Sequence, residues 1–253
     1  MAGKNGAGKD MDRIRGWRAR IGYTVAAVTT EVYPIDWYRV VPDGVSLMMI
    51  TLPLGTRSKE DVEKCYAISI ESAHTMAKAG ADLVVLGGLP INISRGDGTI
   101  EGLMAELTRE VGVPVSSSAA AQVAAFKALG SRKVVTVHPF LADQNPRHER
   151  TIRDFFGLEP VGVHAGGSNL VELGKLTPRS ALDWGRAALQ AHPDADTVYF
   201  GCPHWTVIDA IQPLEDEFGV RVMTSLQAIA WHSIRLAGVD DRIDGFGRLL
   251  RDH

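Results

Sequence analysis

Ala195-Asp196-Thr197-Val198-Tyr199-Phe200-Gly201-Cys202-Pro203-His204 repeats in kind the earlier stretch Ala81-Asp82-Leu83-Val84-Val85-Leu86-Gly87-Gly88-Leu89-Pro90. Each opens with Ala-Asp, runs through four apolar or β-branched residues and stops at glycine, as a buried strand entering a tight turn does. Each follows a segment of helical periodicity and precedes a Gly-Val-x-Val strand, 112–115 in one copy and 219–222 in the other. An Ala-rich helix then closes each copy, at Gly130 and at Gly238. Ile21-Gly22-Tyr23-Thr24-Val25 corresponds in the same way to Val134–Val137. The chain therefore reads as two similar α/β halves, 20–130 and 131–238.

The remaining segments fit this scheme. Strand-like runs occur at Ile21–Val25, Val45–Ile50, Leu83–Leu86, Val134–Val137, Thr197–Phe200 and Val220–Met223. Helical periodicity marks Val62–Lys78, Ala119–Leu129, Ala181–Ala191, Val207–Phe218 and Leu226–Leu236. Such alternation predicts an α/β fold of mostly parallel sheets, here two, related by pseudo-twofold symmetry. Equivalent strand ends then face each other, and the active site is expected in the cleft between the halves. Residues 1–19 read as a disordered or arm-like leader in which Arg13, Arg15, Arg18 and Arg20 surround Trp17, and 239–253 as a C-terminal tail.

Composition narrows the function. The 253 residues are 45% hydrophobic and 23% charged, which excludes global disorder. A net charge of -3 leaves no electrostatic footprint for nucleic acid. The longest apolar runs, such as Ala81–Ile91, are too short and too interrupted to cross a bilayer, so no membrane partner is expected. Two cysteines form no disulfide framework, and without an apolar signal core at the amino terminus a cytoplasmic location is expected. Gly3 to Lys9 imitates a phosphate-binding loop, but Asp10 replaces the required hydroxyl residue and no strand precedes it. The eight histidines lack metal-ligand spacing, Gly87-Gly88 and Gly166-Gly167 lack dinucleotide-site spacing, and no Gly-x-Ser-x-Gly elbow is present. Neither metal nor cofactor is expected.

Cys202 is the candidate catalytic group. It follows a buried strand, and a helix is expected to begin at 203–206, where the helix dipole and free N–H groups would favour a thiolate. His204 is near enough to assist through charge or a hydrogen bond, and Pro203 completes the turn. The alternative for Cys202 is a buried structural thiol. Its counterpart in the first half is Gly88, so a mechanism with cysteines on both faces of a carbon is absent. Cys65 lies mid-helix and reads as a core residue. Thr29, Thr30, Ser116 and Ser117 stand at strand ends, where they either donate hydroxyls to a carboxylate or cap turns. Trp184 and Trp231 read as core or subunit-contact residues, and Ala-rich helices are compatible with a homodimer.

Gly201-Cys202-Pro203-His204-Trp205 resembles the second cysteine motif of the Asp/Glu racemase superfamily. The paired halves resemble that architecture from Arg20 to Gly238. Val84–Gly96 and the Asp-x-Asn-x-Arg of Asp143-Gln144-Asn145-Pro146-Arg147 are similar to the maleate isomerase and arylmalonate decarboxylase branch. The resemblance implies a cofactor-independent enzyme acting on a small carboxylate or dicarboxylate through an enolate-type intermediate. Isomerases of the branch carry a second cysteine where this chain has Gly88, whereas the decarboxylases carry glycine there, so the resemblance favours an arylmalonate-type decarboxylase. This chain departs from the decarboxylases at Leu89 and Pro90, where they place two hydroxyl residues, and from both subfamilies at Phe140, where they place tyrosine. Asn169 matches a substrate-holding asparagine of the isomerases, and Thr29-Thr30 resembles their Asn-Thr loop. The alternatives are maleate cis-trans isomerisation with Cys202 as nucleophile, another lyase or hydrolase reaction, and a non-catalytic small-molecule-binding relative.

Overall fold

The β-branched runs pair, as their continuous apolar character requires, into two parallel sheets covered by helices. The structure, a computed structural model, describes residues 13–27, 30–54, 58–92 and 100–253. The first sheet contains β1 (Ala19–Val25), β2 (Val45–Thr51), β3 (Leu83–Leu86) and β4 (Val115–Ser117), in the order β2-β1-β3-β4. Its helices are α1 (Val32–Val40), α2 (Lys59–Lys78), the single turn α3 (Leu89–Asn92), α4 (Ile100–Val111) and α5 (Ser118–Leu129). The second sheet contains β5 (Lys133–His138), β6 (Glu159–Ala165), β7 (Thr197–Phe200) and β8 (Arg221–Thr224), in the equivalent order β6-β5-β7-β8. With it go α6 (Asn145–Arg150), α7 (Pro178–Ala191), α8 (Ile208–Phe218), α9 (Ser225–Leu236) and α10 (Gly247–Asp252).

The central strands β3 and β7 are fully buried, and their apolar runs were the clearest in the sequence. The edge strand β6 escapes the sequence pattern because Pro160 and Gly162 interrupt it. Proline is tolerated there because an edge strand can spare one N–H. The helices α1 and α4 are likewise additions to the elements expected. One apolar core runs through both halves, joined by the α5–α9 contact, where Ala121, Ala125, Ala228 and Ala230 are wholly buried.

Both chain ends depart from expectation. Of the leader placed at 1–19, residues 1–12 lie outside the described residues, and Ala19 already belongs to β1. Arg18 forms a two-pronged ion pair with Asp241, and the Arg13 guanidinium lies 4.7 Å from the centre of the Trp17 ring. The stretch 239–253 is no free tail: α10 buries Leu249 and Leu250 completely against the second half.

Both strand ends are held through the glycine N–H, one by a backbone carbonyl and the other by a side-chain hydroxyl. Gly201 N donates to Val137 O at 3.0 Å, and Gly87 N donates to Thr24 Oγ1 at 2.9 Å. A Cβ on Gly87 would fall 1.8 Å from the Thr24 carbonyl oxygen, a backbone atom that cannot move aside. Gly87→Ala is therefore expected to cost about 3 kcal/mol in urea unfolding. Gly112→Ala, where a Cβ meets nothing within 4 Å, is expected to cost about 1 kcal/mol from its positive φ alone.

Candidate active site

Cys202 occupies the loop between β7 and α8 and is buried. The helix expected at 203–206 begins only at Ile208, after the cap residue Val207. The α8 dipole therefore acts from a full turn of loop away and is not the main influence on the thiol. Two other helices point their amino termini at the site instead. Ser118 and Ser225, the first residues of the twelve-residue helices α5 and α9, both line the cavity into which Cys202 opens. Their convergence leaves the cavity partly positive and suited to an anion.

The cavity, of about 100 Å³, lies between the carboxyl ends of the two sheets. Ala26, Leu54, Leu89, Phe140 and Ile229 supply its apolar wall, and Gly88, Gly201 and Pro203 its backbone surfaces. Tyr23 and Tyr199 also line it. Burial, and after it the nearby Cys202, raises the pKa of both phenols, so they remain protonated donors at neutral pH. Tyr199 Oη donates to Gln122 Oε1 and lies 3.2 Å from Ser225 Oγ, which contacts Phe200 O at 3.3 Å. Tyr23 stacks on Tyr33 with centroids 4.5 Å apart, and its buried hydroxyl meets no hydrogen-bond partner among the described residues.

The structure brings some sequence-expected residues together and separates others. Gly88, Leu89, Phe140, Cys202, Pro203 and His204 all line the cavity. Thr30 borders it through His204, its Oγ1 lying 3.3 Å from Nδ1. Thr29 lies outside the described residues, and of Pro90 only its place in α3 is described. Ser117 does not reach the cavity. It caps α5 by accepting the Ala120 N–H at 3.1 Å, as Thr224 caps α9 at the equivalent position. Ser118, one residue on, faces inward in its stead. Ser116 is buried in β4 away from the cavity lining. Asn169 is a cap too, accepting from Val171 N at 3.1 Å and donating to Glu172, and it does not line the cavity. Cys65 belongs to a separate apolar cluster with Leu52, Leu54, Val62 and Ile91.

Sequence reasoning missed Tyr23, Gln122, Arg147, His148, Thr151 and Ser225 as wall residues. Only Arg147 carried a signal, as the end of the Asp-x-Asn-x-Arg run. Phe140, His148 and His138 form one stack, with the two imidazoles 4.1 Å apart and 11° from parallel. The missing side chain of Gly201 makes room for it: a Cβ there would lie 3.3 Å from His148.

Residues 21–250 match the family model described as arylmalonate decarboxylase. The chain belongs to that family. It is 28% identical over 219 residues to the arylmalonate decarboxylase of Bordetella bronchiseptica, covering 86% of this chain and 90% of the relative. It is 25% identical over 197 residues to the maleate isomerase of Alcaligenes faecalis, covering 74% and 73% of the two chains. A solved structure of unliganded arylmalonate decarboxylase superposes with a TM-score of 0.81 at 27% identity, covering 93% of this chain and all of that one. The fold of the chain is thus that of the solved arylmalonate decarboxylase.

In this member of the family His204 does not assist through charge. Burial lowers its pKa from 6.5 to about 4, so it is neutral at pH 7. The unfolded chain takes up a proton below about pH 6.5 that the folded chain refuses until about pH 4. Stability contributed by keeping this ring neutral is accordingly full above pH 6.5 and lost as pH falls. Wild type should lose roughly 3 kcal/mol through this residue by pH 4, at about 1.36 kcal/mol per pH unit. His204→Gln should lack that slope, so the stability difference between the two proteins in urea unfolding should shift by this amount between pH 7 and pH 4.

Proposed function

We propose that this protein is a cofactor-independent decarboxylase of small, malonate-type dicarboxylates bearing an apolar substituent. The observation that carries this reading is a single thiol on the wall of a largely apolar cavity. Cys65 is in another cluster, and the position equivalent to Cys202 is Gly88. Gly88 has φ +86°, and a Cβ there would lie 2.6 Å from Ala26 Cβ. Family membership and the named relatives support the same chemistry.

One carboxylate, set against Phe140, Leu54 and Leu89, is poorly solvated, which favours its departure as neutral CO2. The electron pair of the breaking C–C bond moves onto the α-carbon and into the retained carboxylate as an enediolate. Tyr23 Oη and the amino termini of α5 and α9 are placed to stabilise that charge. Cys202 then gives its proton to the α-carbon from one face, and solvent restores the thiol. With a single acid, the product has one configuration. A working thiol is best kept in a reducing cytoplasm, where we place the protein. No described helix is long and apolar enough to cross a membrane.

The maleate isomerase relative supplies the second reading, in which the Cys202 thiolate adds to a double bond. Proton NMR in D2O with phenylmalonate and maleate supplied together separates the two. The expected outcome is loss of phenylmalonate with one deuterium at the α-carbon and no fumarate. Cys202→Ala should lower kcat/KM by about 10³-fold, within the range for a positioned acid. Fumarate formation would overturn the decarboxylase reading in favour of the isomerase. Turnover undiminished in Cys202→Ala would remove the thiol from the mechanism.

A further inference from the structure

We propose that the stacked phenols of Tyr23 and Tyr33 work as a pair, Tyr33 donating to Tyr23 and Tyr23 donating to a carboxylate of the bound ligand. Tyr23 is then a ligand-binding residue, and Tyr33, which does not line the cavity, a positioning residue behind it. The proposal deepens the function above and, for its catalytic part alone, rests on it.

Tyr23 is wholly buried near the carboxyl end of β1. A Cβ on Gly87, directly after β3, would lie 3.0 Å from Tyr23 Cε2, so the bare glycine gives this ring its space. Among the described wall residues, Tyr23 alone has a buried side-chain polar atom without a hydrogen-bond partner, its hydroxyl oxygen. The other wall hydroxyls have acceptors in the chain. Ser118 Oγ donates to Asn92 Oδ1 at 2.7 Å, Thr151 Oγ1 to Arg147 O at 2.9 Å, Tyr199 Oη to Gln122 Oε1, and Ser225 Oγ to Phe200 O at 3.3 Å. A phenylalanine in place of Tyr23 would keep the ring and avoid burying an unsatisfied group. Cys202 acts on the ionisation of Tyr23 more than any influence except burial. The hydroxyl oxygen itself, and not the ring alone, is therefore on the side of the cavity that holds the thiol.

Tyr33, from α1, stacks on Tyr23 with ring planes 17° apart, and Trp37 stacks on Tyr33 with centroids 6.0 Å apart. The Tyr33 hydroxyl is also buried without a hydrogen-bond partner. Burial is the main cause that raises both phenol pKa values, but the two hydroxyls act on each other in opposite senses: Tyr33 lowers the pKa of Tyr23, and Tyr23 raises that of Tyr33. Those are the senses expected when Tyr33 gives the hydrogen bond and Tyr23 receives it. The pair lacks a last acceptor to order it, and a carboxylate supplies one. A hydroxyl that accepts one hydrogen bond donates the next more strongly. Both phenols are protonated at neutral pH, so the pair offers a hydrogen bond to an anion and takes no proton from it. As CO2 departs, negative charge grows on the held carboxylate, and a donor already oriented by its neighbour stabilises the transition state more than the bound substrate.

The test separates binding from turnover. Phenylacetate, malonate and maleate are titrated calorimetrically into wild type, Tyr23→Phe, Tyr33→Phe and the double variant, each verified as folded by its melting curve. Wild type should bind at least one of these acids, Tyr23→Phe should weaken that binding by on the order of tenfold or more, and Tyr33→Phe by about threefold. Adding Tyr33→Phe to Tyr23→Phe should weaken it no further, a coupling that loss of packing alone would not give. In wild type carrying carbon-13 at tyrosine Cζ, the Tyr23 resonance, assigned by its absence from Tyr23→Phe, should move when the acid binds. Unchanged affinity in Tyr23→Phe, additive losses in the double variant, an unmoved Tyr23 resonance, or no binding of any acid would each overturn the proposal. If phenylmalonate is turned over, kcat of Tyr23→Phe should fall by a larger factor than KM rises, and a rise in KM with kcat unchanged would overturn the catalytic part. If wild type does not turn it over, the decarboxylase reading fails while the titrations and the resonance still decide the pair.

Discussion

The close packing of α5 on α9 is the contact on which the rest of the site depends. Wholly buried alanines on both helices let the two backbones approach, and this brings the carboxyl ends of the two sheets to face each other. Because each helix starts directly after a strand, its first residue falls at the cavity and its cap falls one residue outside. The same interface carries a polar network across the halves. Tyr199 of β7 reaches Gln122 of α5, Ser225 of α9 joins them, and each is buried with its partners in place. Such a network is stabilising only when complete, so it fixes the relative position of the halves more narrowly than apolar packing alone.

That arrangement sets the electrostatics. Two helix amino termini and a guanidinium surround a cavity whose phenols are held protonated and whose buried imidazole is held neutral. Burial is the leading cause in each of the three ionisable cases, so the wall favours neutral side chains of its own and an anion from outside. Ion pairs elsewhere, such as Arg39 with Asp209, tie α1 of the first half to α8 of the second and keep the cleft edges in register without placing a carboxylate inside it.

The repeat made the fold legible because buried parallel strands must be apolar throughout, and two such runs with the same flanking glycines are hard to produce by another architecture. Cys202 was legible for a related reason: a thiol at a strand end in an α/β fold stands where ligands bind. The hydroxyl donors were not legible. Ser117 and Ser118 are chemically alike, and only the point at which β4 becomes α5 decides which one caps and which one faces the cavity. Asn169 followed a motif match, but its side chain is used within its own turn. Tyr23 was hidden inside β1, because an apolar strand buried on both faces gives no sign of which residue reaches a neighbouring cavity. His148 was hidden by a helix too short to show periodicity, and Arg147 was marked only as the end of the Asp-x-Asn-x-Arg run.

The pseudo-symmetry fails where Cys202 of the second half corresponds to Gly88 of the first. At Cys202 the loop has ordinary backbone geometry and accommodates a side chain turned to the cavity. At Gly88 the chain turns through φ +86°, and Ala26 and the Ile91 side chain close over the place where a Cβ would point. A second thiol facing the first would need a different path for the chain after β3, together with retreat of the loop after β1. The difference is thus in the backbone as well as in the residue type. On the decarboxylase reading it would confine proton delivery to the face of the second half, with Tyr23 and the apolar wall residues on the remaining surface of the cavity.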